Sequence, residues 1–325
     1  MPNGDEPEAT TPGPLLAIGG AEDKIGKRTI LSEFVRLAGG DRARIAVVPT
    51  ASSLGPEVVE VYDALFHRLG AQEVVLARPE SREEANDPAM LARLDGVTGI
   101  FMTGGNQLKL SGVINGTAFA DAIRAAHERG VVVAGTSAGA SIQSSHMVAF
   151  GTGGATPKQR MTQLAAGLGL VPDCVIDQHF EQRNRYGRLL MIVAQSPSLL
   201  GIGVDEDTAA VFTREDGVDL MRVAGRGAVH VLDGRDIVTN AHEAQQSRPL
   251  LASGITLHVL PRGSVFDLTR RTLVRERPAV AGEAEELAVA GRDLKRLAQD
   301  IAAGDVSPTQ LRRRRARRHP EGERA

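Results

Sequence analysis

Short apolar runs of strand type alternate with amphipathic stretches of helical spacing along most of this chain. The strand-like runs cover residues 15–18, 44–48, 73–76, 99–102, 131–134, 174–177 and 201–204. The helical stretches between them cover 24–37, 56–69, 117–129 and 138–148. Because a helix returns the chain to the edge where the previous strand began, this order predicts an α/β fold with a mostly parallel, doubly wound sheet.

A second set of strand-like runs follows at 209–213, 220–223, 229–232 and 255–260, separated by Asp-Gly and Gly-Arg-Gly turn signals. These runs predict C-terminal β-hairpins appended to the sheet. The whole pattern divides the chain into a disordered arm (1–13), a main domain (14–270) and a helical, arginine-rich extension (271–325).

Composition excludes several classes of protein. The 325 residues are 42% hydrophobic and 24% charged, so they can bury a full core. A net charge of −2 gives no general attraction to nucleic acid, and a single cysteine, Cys174, excludes an internal disulfide. No apolar run reaches the ~20 residues that cross a membrane, and the acidic N-terminus shows no secretion signal. We therefore expect a cytoplasmic protein without a membrane segment.

The run 131–134 ends in Gly135-Thr136-Ser137-Ala138-Gly139. A serine between glycines, on a turn from a strand to a helix, can project its hydroxyl above the sheet. The N–H groups of the helix start then point toward the same place. Ser137 is therefore a candidate nucleophile, and the alternative is a structural turn with a small capping serine.

A serine nucleophile requires a base, and the base requires an orienting acid. His179 ends a buried strand-like run, at the sheet edge where ligands of an open α/β sheet gather, and is the candidate base. The candidate acids are Asp205, Glu206 and Asp207, which follow the next run. Alternation places Glu206 on the opposite face from the other two, so the three cannot share one role. The alternative for all three is an acidic turn.

Two glycine pairs also follow strand-like runs. Gly104-Gly105 lets backbone N–H groups approach a reacting carbonyl, as an oxyanion hole requires. Gly19-Gly20 lacks a neighbouring nucleophile and is interpreted as a structural turn. The chain has no phosphate-binding P-loop, no histidine pair at metal-ligand spacing and no Gly-x-Gly-x-x-Gly after its first strand. Kinases, metallohydrolases and dinucleotide enzymes are therefore disfavoured, and the order Ser, His, acid differs from that of α/β-hydrolases.

Four blocks together resemble a serine-peptidase family that includes the cyanophycinases and aspartyl dipeptidase. The blocks are Ile18-Gly19-Gly20-Ala21-Glu22-Asp23-Lys24, Thr103-Gly104-Gly105-Asn106-Gln107, Gly135-Thr136-Ser137-Ala138-Gly139-Ala140 and Asp177-Gln178-His179-Phe180. Residues 201–206 fit the same pattern, and the match covers roughly 15–268. The resemblance implies a fold like the class I glutamine amidotransferases. One departure is Asn106, where the family commonly has an acidic residue.

The resemblance also implies roles for individual residues. Ser137 would be the nucleophile, His179 the general base and then acid, and Glu206 the residue that orients His179. Backbone N–H groups of Ala138 and of Gly104-Gly105 would hold the oxyanion. The family positions that hold substrate correspond to Gln107, Asp177, Gln178, Arg183 and Arg188. The resemblance implies no metal and no organic cofactor.

The implied reaction is the hydrolysis of cyanophycin, or multi-L-arginyl-poly-L-aspartate, from the chain end to β-Asp-Arg dipeptides through an acyl-enzyme. Each unit of this polymer carries one carboxylate and one guanidinium. We infer that Arg183 or Arg188 clamps the carboxylate, while Asp177 with Gln178 meets the guanidinium. The resemblance also implies a homodimer.

Two alternative functions stay open. One is an aspartyl or isoaspartyl dipeptidase that acts on short peptides rather than on polymer. The other is an inactive relative that binds nucleic acid or an acidic partner through the arginines between Arg312 and Arg318. The intact set of Ser137, His179 and Glu206 argues against this second alternative, and the arginines are interpreted as a solvated basic helix face.

Overall fold

The computed structural model describes residues 11–53, 56–245 and 247–274. The predicted disordered arm lies outside the described residues apart from 11–13. The predicted arginine-rich extension lies outside them apart from 271–274, so its helices stay a prediction.

Strands and helices alternate as the sequence predicts. The strands are β1 (Leu15–Ile18), β2 (Arg44–Val48), β3 (Glu73–Leu76), β4 (Gly99–Met102), β5 (Val132–Thr136), β6 (His146–Gly151), β7 (Thr162–Ala166), β8 (Cys174–Gln178), β9 (Leu200–Val204), β10 (Thr208–Glu215), β11 (Val218–Gly225), β12 (Ala228–Asp233), β13 (Val238–Thr239), β14 (Ala252–Ser253), β15 (Thr256–Pro261), β16 (Val265–Asp267) and β17 (Thr272–Val274). The α-helices are α1 (Thr29–Leu37), α2 (Pro56–Arg68), α3 (Pro88–Leu91), α4 (Gln107–Ile114), α5 (Ala118–Glu128), α6 (Ala138–Ser141) and α7 (Tyr186–Gln195). None of the helices within the described ranges is long and apolar enough to span a bilayer.

The central sheet has nine strands in the order β17-β16-β11-β10-β1-β5-β4-β2-β3. The five strands from β1 to β3 in this order are parallel neighbours. The β10–β11 hairpin, β16 and β17 extend the sheet beyond β1 in antiparallel pairing. This architecture confirms the predicted mixed α/β class with a large sheet built on parallel strands.

Side chains that alternate along the parallel strands pack into two cores, one on each face of the sheet. Leu16, Ile18 and Phe34 belong to the core beneath α1 and α2. Leu15 and Ala17 belong to the opposite core, with side chains of α4 and α5. Because β1, β2, β4 and β5 bury both faces, they require the continuous apolar runs seen in the sequence.

The pairing of β8 and β9 differs from the prediction of one sheet. They are parallel to each other, but they form a second sheet in the order β15-β12-β9-β8. Its other pairs are antiparallel. Strand periodicity reports burial, and it carries no information about which strand is the neighbour, so the sequence could not divide the strands between two sheets.

The predicted helix over 138–148 is also wrong. α6 lasts one turn, and β6 begins at His146. After that turn the Gln143 amide donates to the Leu16 and Gly139 carbonyls, at 3.0 and 3.2 Å. The segment then pairs as β6 with β7, an antiparallel hairpin that the sequence did not predict.

Candidate active site

Ser137 lies on a sharp turn between β5 and α6. Its backbone is in an unusual conformation, with φ 52° and ψ −107°. Small residues make this turn sterically feasible, because a Cβ at Gly135 would come within 2.1 Å of the Gly139 carbonyl oxygen. A Cβ at Gly139 would come within 2.2 Å of the Met102 carbonyl oxygen on β4. The glycines on either side of the serine therefore allow the close packing that exposes its hydroxyl.

Ser137, His179 and Glu206 form a continuous hydrogen-bonded chain. Ser137 Oγ is 3.0 Å from His179 Nε2. His179 Nδ1 is 2.6 Å from Glu206 Oε1. A carboxylate can only accept, so Nδ1 carries the proton and Nε2 is left to accept from the serine hydroxyl. The three residues follow β5, β8 and β9, so the ends of strands from both sheets converge here.

The loop after β1 packs against the imidazole. Gly20 has φ 100°, and a Cβ there would lie 2.3 Å from His179 Cε1. The same loop accepts the His179 N–H at the Gly19 carbonyl oxygen, 2.8 Å away. The sequence interpreted Gly19-Gly20 as a structural turn and missed this contact. The sequence feature that could have indicated this contact is the glycine pair itself, which follows β1 at the same edge of the sheet as Ser137.

The three consecutive carboxylates have three different partners. Only Glu206 reaches His179. Asp205 is buried and lies 3.2 Å from His230 Nε2. Asp207 accepts from the N–H of Asp23 at 2.9 Å. Of the three carboxylates, Glu206 is thus the one in contact with His179, a choice that the local sequence pattern alone did not make.

The surroundings of His179 favour its neutral form. Burial lowers the pKa of His179, the Glu206 carboxylate raises it, and the nearby Arg183 and Arg185 guanidinium groups lower it again. The net result is a pKa below the usual value for histidine. A neutral imidazole at neutral pH can accept a proton from Ser137.

The glycine turn after β4 lies beside Ser137. Gly104 lies against the turn, since a Cβ there would be 3.3 Å from Ser137 Cβ. In the described ranges no carbonyl accepts from the N–H groups of Gly104, Gly105 or Ala138. Asn106 caps α4 by accepting from the Lys109 N–H at 3.0 Å, a role that an aspartate fills equally well. The departure at Asn106 therefore preserves this turn.

Two of the predicted substrate residues are instead paired with each other. The Asp177 carboxylate is fully buried, and it accepts from Arg188 Nε at 2.6 Å and from Arg185 Nη1 at 3.2 Å. Arg188 also donates to the Gly151 carbonyl, 3.2 Å away. Their charges compensate each other inside the protein, so the inferred roles of Asp177 on a guanidinium and of Arg188 on a carboxylate do not agree with this geometry.

Gln178 and Gln107 continue this hydrogen-bond network from Arg185 to the start of α4. Gln178 Nε2 donates to Gln107 Oε1 at 3.1 Å. Gln178 Oε1 accepts from Arg185 Nη1 at 2.7 Å. Arg183 differs from these residues because its side chain is exposed and its guanidinium donates no hydrogen bond to another described residue, although its backbone N–H donates to the His179 carbonyl at 3.1 Å. Its guanidinium lies near enough to His179 for its positive charge to lower the pKa of the imidazole. No cluster of His, Cys, Asp or Glu suited to a metal ion occurs in the described part of the chain.

The chain is similar to known peptidases over most of its length. Residues 15–221 match the model of peptidase family S51. It is 40% identical to a cyanophycinase of Trichormus variabilis over 276 residues, 84% of this chain and 90% of that protein. It is also 40% identical to a cyanophycinase of Synechococcus elongatus over 258 residues, 79% of each. The crystal structure of a peptidase from an acI-B1 actinobacterium shares the fold, with a TM-score of 0.55 at 22% identity over 77% of this chain and 98% of that one.

Proposed function

The chain belongs to peptidase family S51, and we propose that it is a serine exopeptidase that hydrolyses cyanophycin to β-Asp-Arg dipeptides. The observation that carries the proposal is the hydrogen-bonded chain from Ser137 Oγ through His179 to Glu206. The cyanophycinases at 40% identity support the choice of substrate. All catalytic groups in this proposal come from the chain itself.

In the first step Ser137 Oγ attacks the scissile carbonyl carbon while His179 Nε2 takes the hydroxyl proton. The carbonyl π electrons move to its oxygen, and the N–H groups of Ala138 and of Gly104-Gly105 stabilise the resulting oxyanion. When the oxyanion re-forms the carbonyl, the C–N bond breaks and the imidazolium protonates the leaving amine. An ester between Ser137 and the acyl part of the substrate remains.

In the second step water replaces the amine. His179 accepts a proton from the water as its oxygen attacks the ester carbonyl, and later returns the proton to Ser137 Oγ. Glu206 fixes the Nδ1 proton and stabilises the imidazolium that forms in both steps. The product acid then leaves and the free serine is restored.

Arg183 is the proposed contact for a substrate carboxylate. It is exposed at the edge of the site, and guanidinium groups bind carboxylates in a bidentate geometry. Gln107 and Gln178 are proposed to line the same region through their amides. Asp177 and Arg188 are proposed to act behind them, by holding Arg185 and Gln178 in place.

The test is to incubate insoluble cyanophycin with the purified protein and with the Ser137→Ala variant, and to identify the soluble products by mass. Release of β-Asp-Arg by the wild type alone supports both the substrate and the nucleophile. Turnover of short aspartyl peptides with no release from polymer would replace the proposal by a dipeptidase. Equal release by the variant would remove Ser137 from the mechanism.

The assembly and location expected from the sequence belong to the same proposal: a homodimer in the cytoplasm without a nucleic-acid partner. Analytical ultracentrifugation measures the assembly, and a monomer at micromolar concentration would contradict it. Retention of the protein on random duplex DNA at physiological salt would contradict the expected absence of a nucleic-acid partner.

A further inference from the structure

A buried carboxylate lies next to the residue that precedes Ser137. The Glu22 side chain is 1% exposed, and its Oε1 lies 2.7 Å from Lys24 Nζ. The Tyr62 hydroxyl donates to the same oxygen at 2.6 Å. The other oxygen, Oε2, accepts from Thr136 Oγ1 at 2.5 Å. Thr136 and Tyr62 are both buried, so this cluster is closed to solvent except at Lys24.

Glu22 is charged in this cluster. Burial raises the pKa of its carboxyl, but Lys24 and the two hydroxyl donors outweigh burial and leave the pKa below the usual value. A buried charge is stable only where its hydrogen-bonding groups are satisfied. The Glu22 carboxylate therefore holds its donors in fixed positions.

The nucleophile turn needs such a support. Ser137 has φ 52°, a conformation that costs energy for a residue with a side chain. Such conformations persist where the surroundings impose them. The Ser137 N–H donates to the Ile18 carbonyl at 2.9 Å, which fixes one side of the turn. The hydrogen bond from the Thr136 side chain to Glu22 fixes the turn a second time, from the loop that follows β1.

We propose that Glu22 is a positioning residue for catalysis: through Thr136 it holds the turn that aims the Ser137 hydroxyl at His179. This role rests on the proposed function of Ser137. The loop that carries Glu22 also packs Gly20 against His179. One loop thus sets the relative positions of nucleophile and base.

Two variants separate this role from a general effect on stability. Thr136→Val and Tyr62→Phe each remove one hydroxyl donor from the same carboxylate with little change of shape. Tyr62→Phe leaves Oε1 paired with Lys24, whereas Thr136→Val leaves Oε2 without its donor. Only Thr136 is bonded covalently to Ser137, so only its variant should move the nucleophile.

We expect Thr136→Val to lower kcat on cyanophycin roughly tenfold to a hundredfold, with KM nearly unchanged. The rate at which an alkyl fluorophosphonate labels Ser137 should fall by a similar factor. Tyr62→Phe should keep both rates near the wild-type values although its Tm also falls, and Thr136→Ser should restore the activity.

Equal losses of kcat in Thr136→Val and Tyr62→Phe, after correction for the folded fraction, would overturn the positioning role while leaving the nucleophile in place. If the wild-type protein is neither labelled at Ser137 nor active on cyanophycin, the nucleophile itself is wrong and the role of Glu22 falls with it. The two failures are therefore distinguishable.

Discussion

The Arg188 guanidinium donates one hydrogen bond to each oxygen of the buried Asp177 carboxylate, with Nε 2.6 Å from Oδ2. The pair links β8, which ends just before His179, to the end of β6, because Arg188 also donates to the Gly151 carbonyl. A backbone hydrogen bond also joins α7, which carries Arg188, to the loop after β6, since the Gly187 N–H donates to the Gly154 carbonyl at 2.7 Å. This ion pair is thus part of the framework that supports the segment next to His179.

Removing one partner of this pair should destabilise the fold. Arg188→Met leaves the Asp177 carboxylate buried with Arg185 as its remaining charged partner, and we expect a loss of about 3 kcal/mol in the free energy of unfolding. Arg226→Met is the control. The Arg226 side chain is 86% exposed, and its ion pair is long, with Nε 3.9 Å from Asp207 Oδ2. Chemical denaturation measures the free energy of unfolding of both variants. A large rise in KM with unchanged stability in Arg188→Met would instead support direct binding of substrate.

Glu206 and Asp207 are adjacent carboxylates with different partners, so they give a matched test of the orienting acid. Glu206→Gln should lower kcat by roughly three to four orders of magnitude, because an amide no longer fixes the Nδ1 proton of His179. Asp207→Asn keeps an oxygen that accepts from the Asp23 N–H and should retain most of the activity. Steady-state kinetics on cyanophycin measures both, and comparable losses would refute the assignment.

The pH dependence of kcat/KM should report the state of His179. In the proposed mechanism the neutral imidazole is the base, so activity is present above its pKa and is lost as the pH falls through it. Because burial and the neighbouring arginines lower this pKa, the acid limb should have its midpoint below the ~6.5 of an unperturbed histidine. A midpoint clearly above that value would contradict the described surroundings of His179.

Arg183 should affect both this pH profile and substrate affinity. Arg183→Ala removes a positive charge that lowers the His179 pKa, so the acid limb should move to higher pH. The same change should raise KM for cyanophycin, because the variant loses the proposed contact with a carboxylate. Arg93→Ala, at another exposed arginine, is the control. An Arg183→Ala variant with the kinetics of this control would remove Arg183 from the site.

Gly20 and Gly70 test the packing of the loop after β1 on His179, the proposed general base. Both have a positive φ, of 100° and 97°, so alanine strains the backbone at either position. A Cβ at Gly20 would collide with the His179 ring, whereas a Cβ at Gly70 meets nothing within 4 Å. We expect both alanine variants to lose roughly 1 kcal/mol of stability or more, and only Gly20→Ala to lose most of its kcat. Similar kcat values in the two variants would show that His179 tolerates the displacement.

Local patterns in the sequence predicted the parallel strands and supplied the candidate residues of the site, but they missed the β6–β7 hairpin. Apolar runs identified the parallel strands, and glycines marked the turns after β4 and β5. Ser137 and His179 were recognised because each directly follows a buried strand. These features depend on residues that are close together along the chain, so periodicity and turn chemistry report them.

The tertiary structure decided which groups meet. Asp205, Glu206 and Asp207 are consecutive, yet only Glu206 contacts His179, 27 positions earlier in the chain. Asp177 and Arg188 read as substrate contacts, but burial brings the two charges together and satisfies both. Strand pairing between β8 and β9 in a second sheet sets these distances. Contacts of this kind depend on how distant segments pack and on the free-energy cost of burying an unpaired charge. The local sequence pattern reports neither of these.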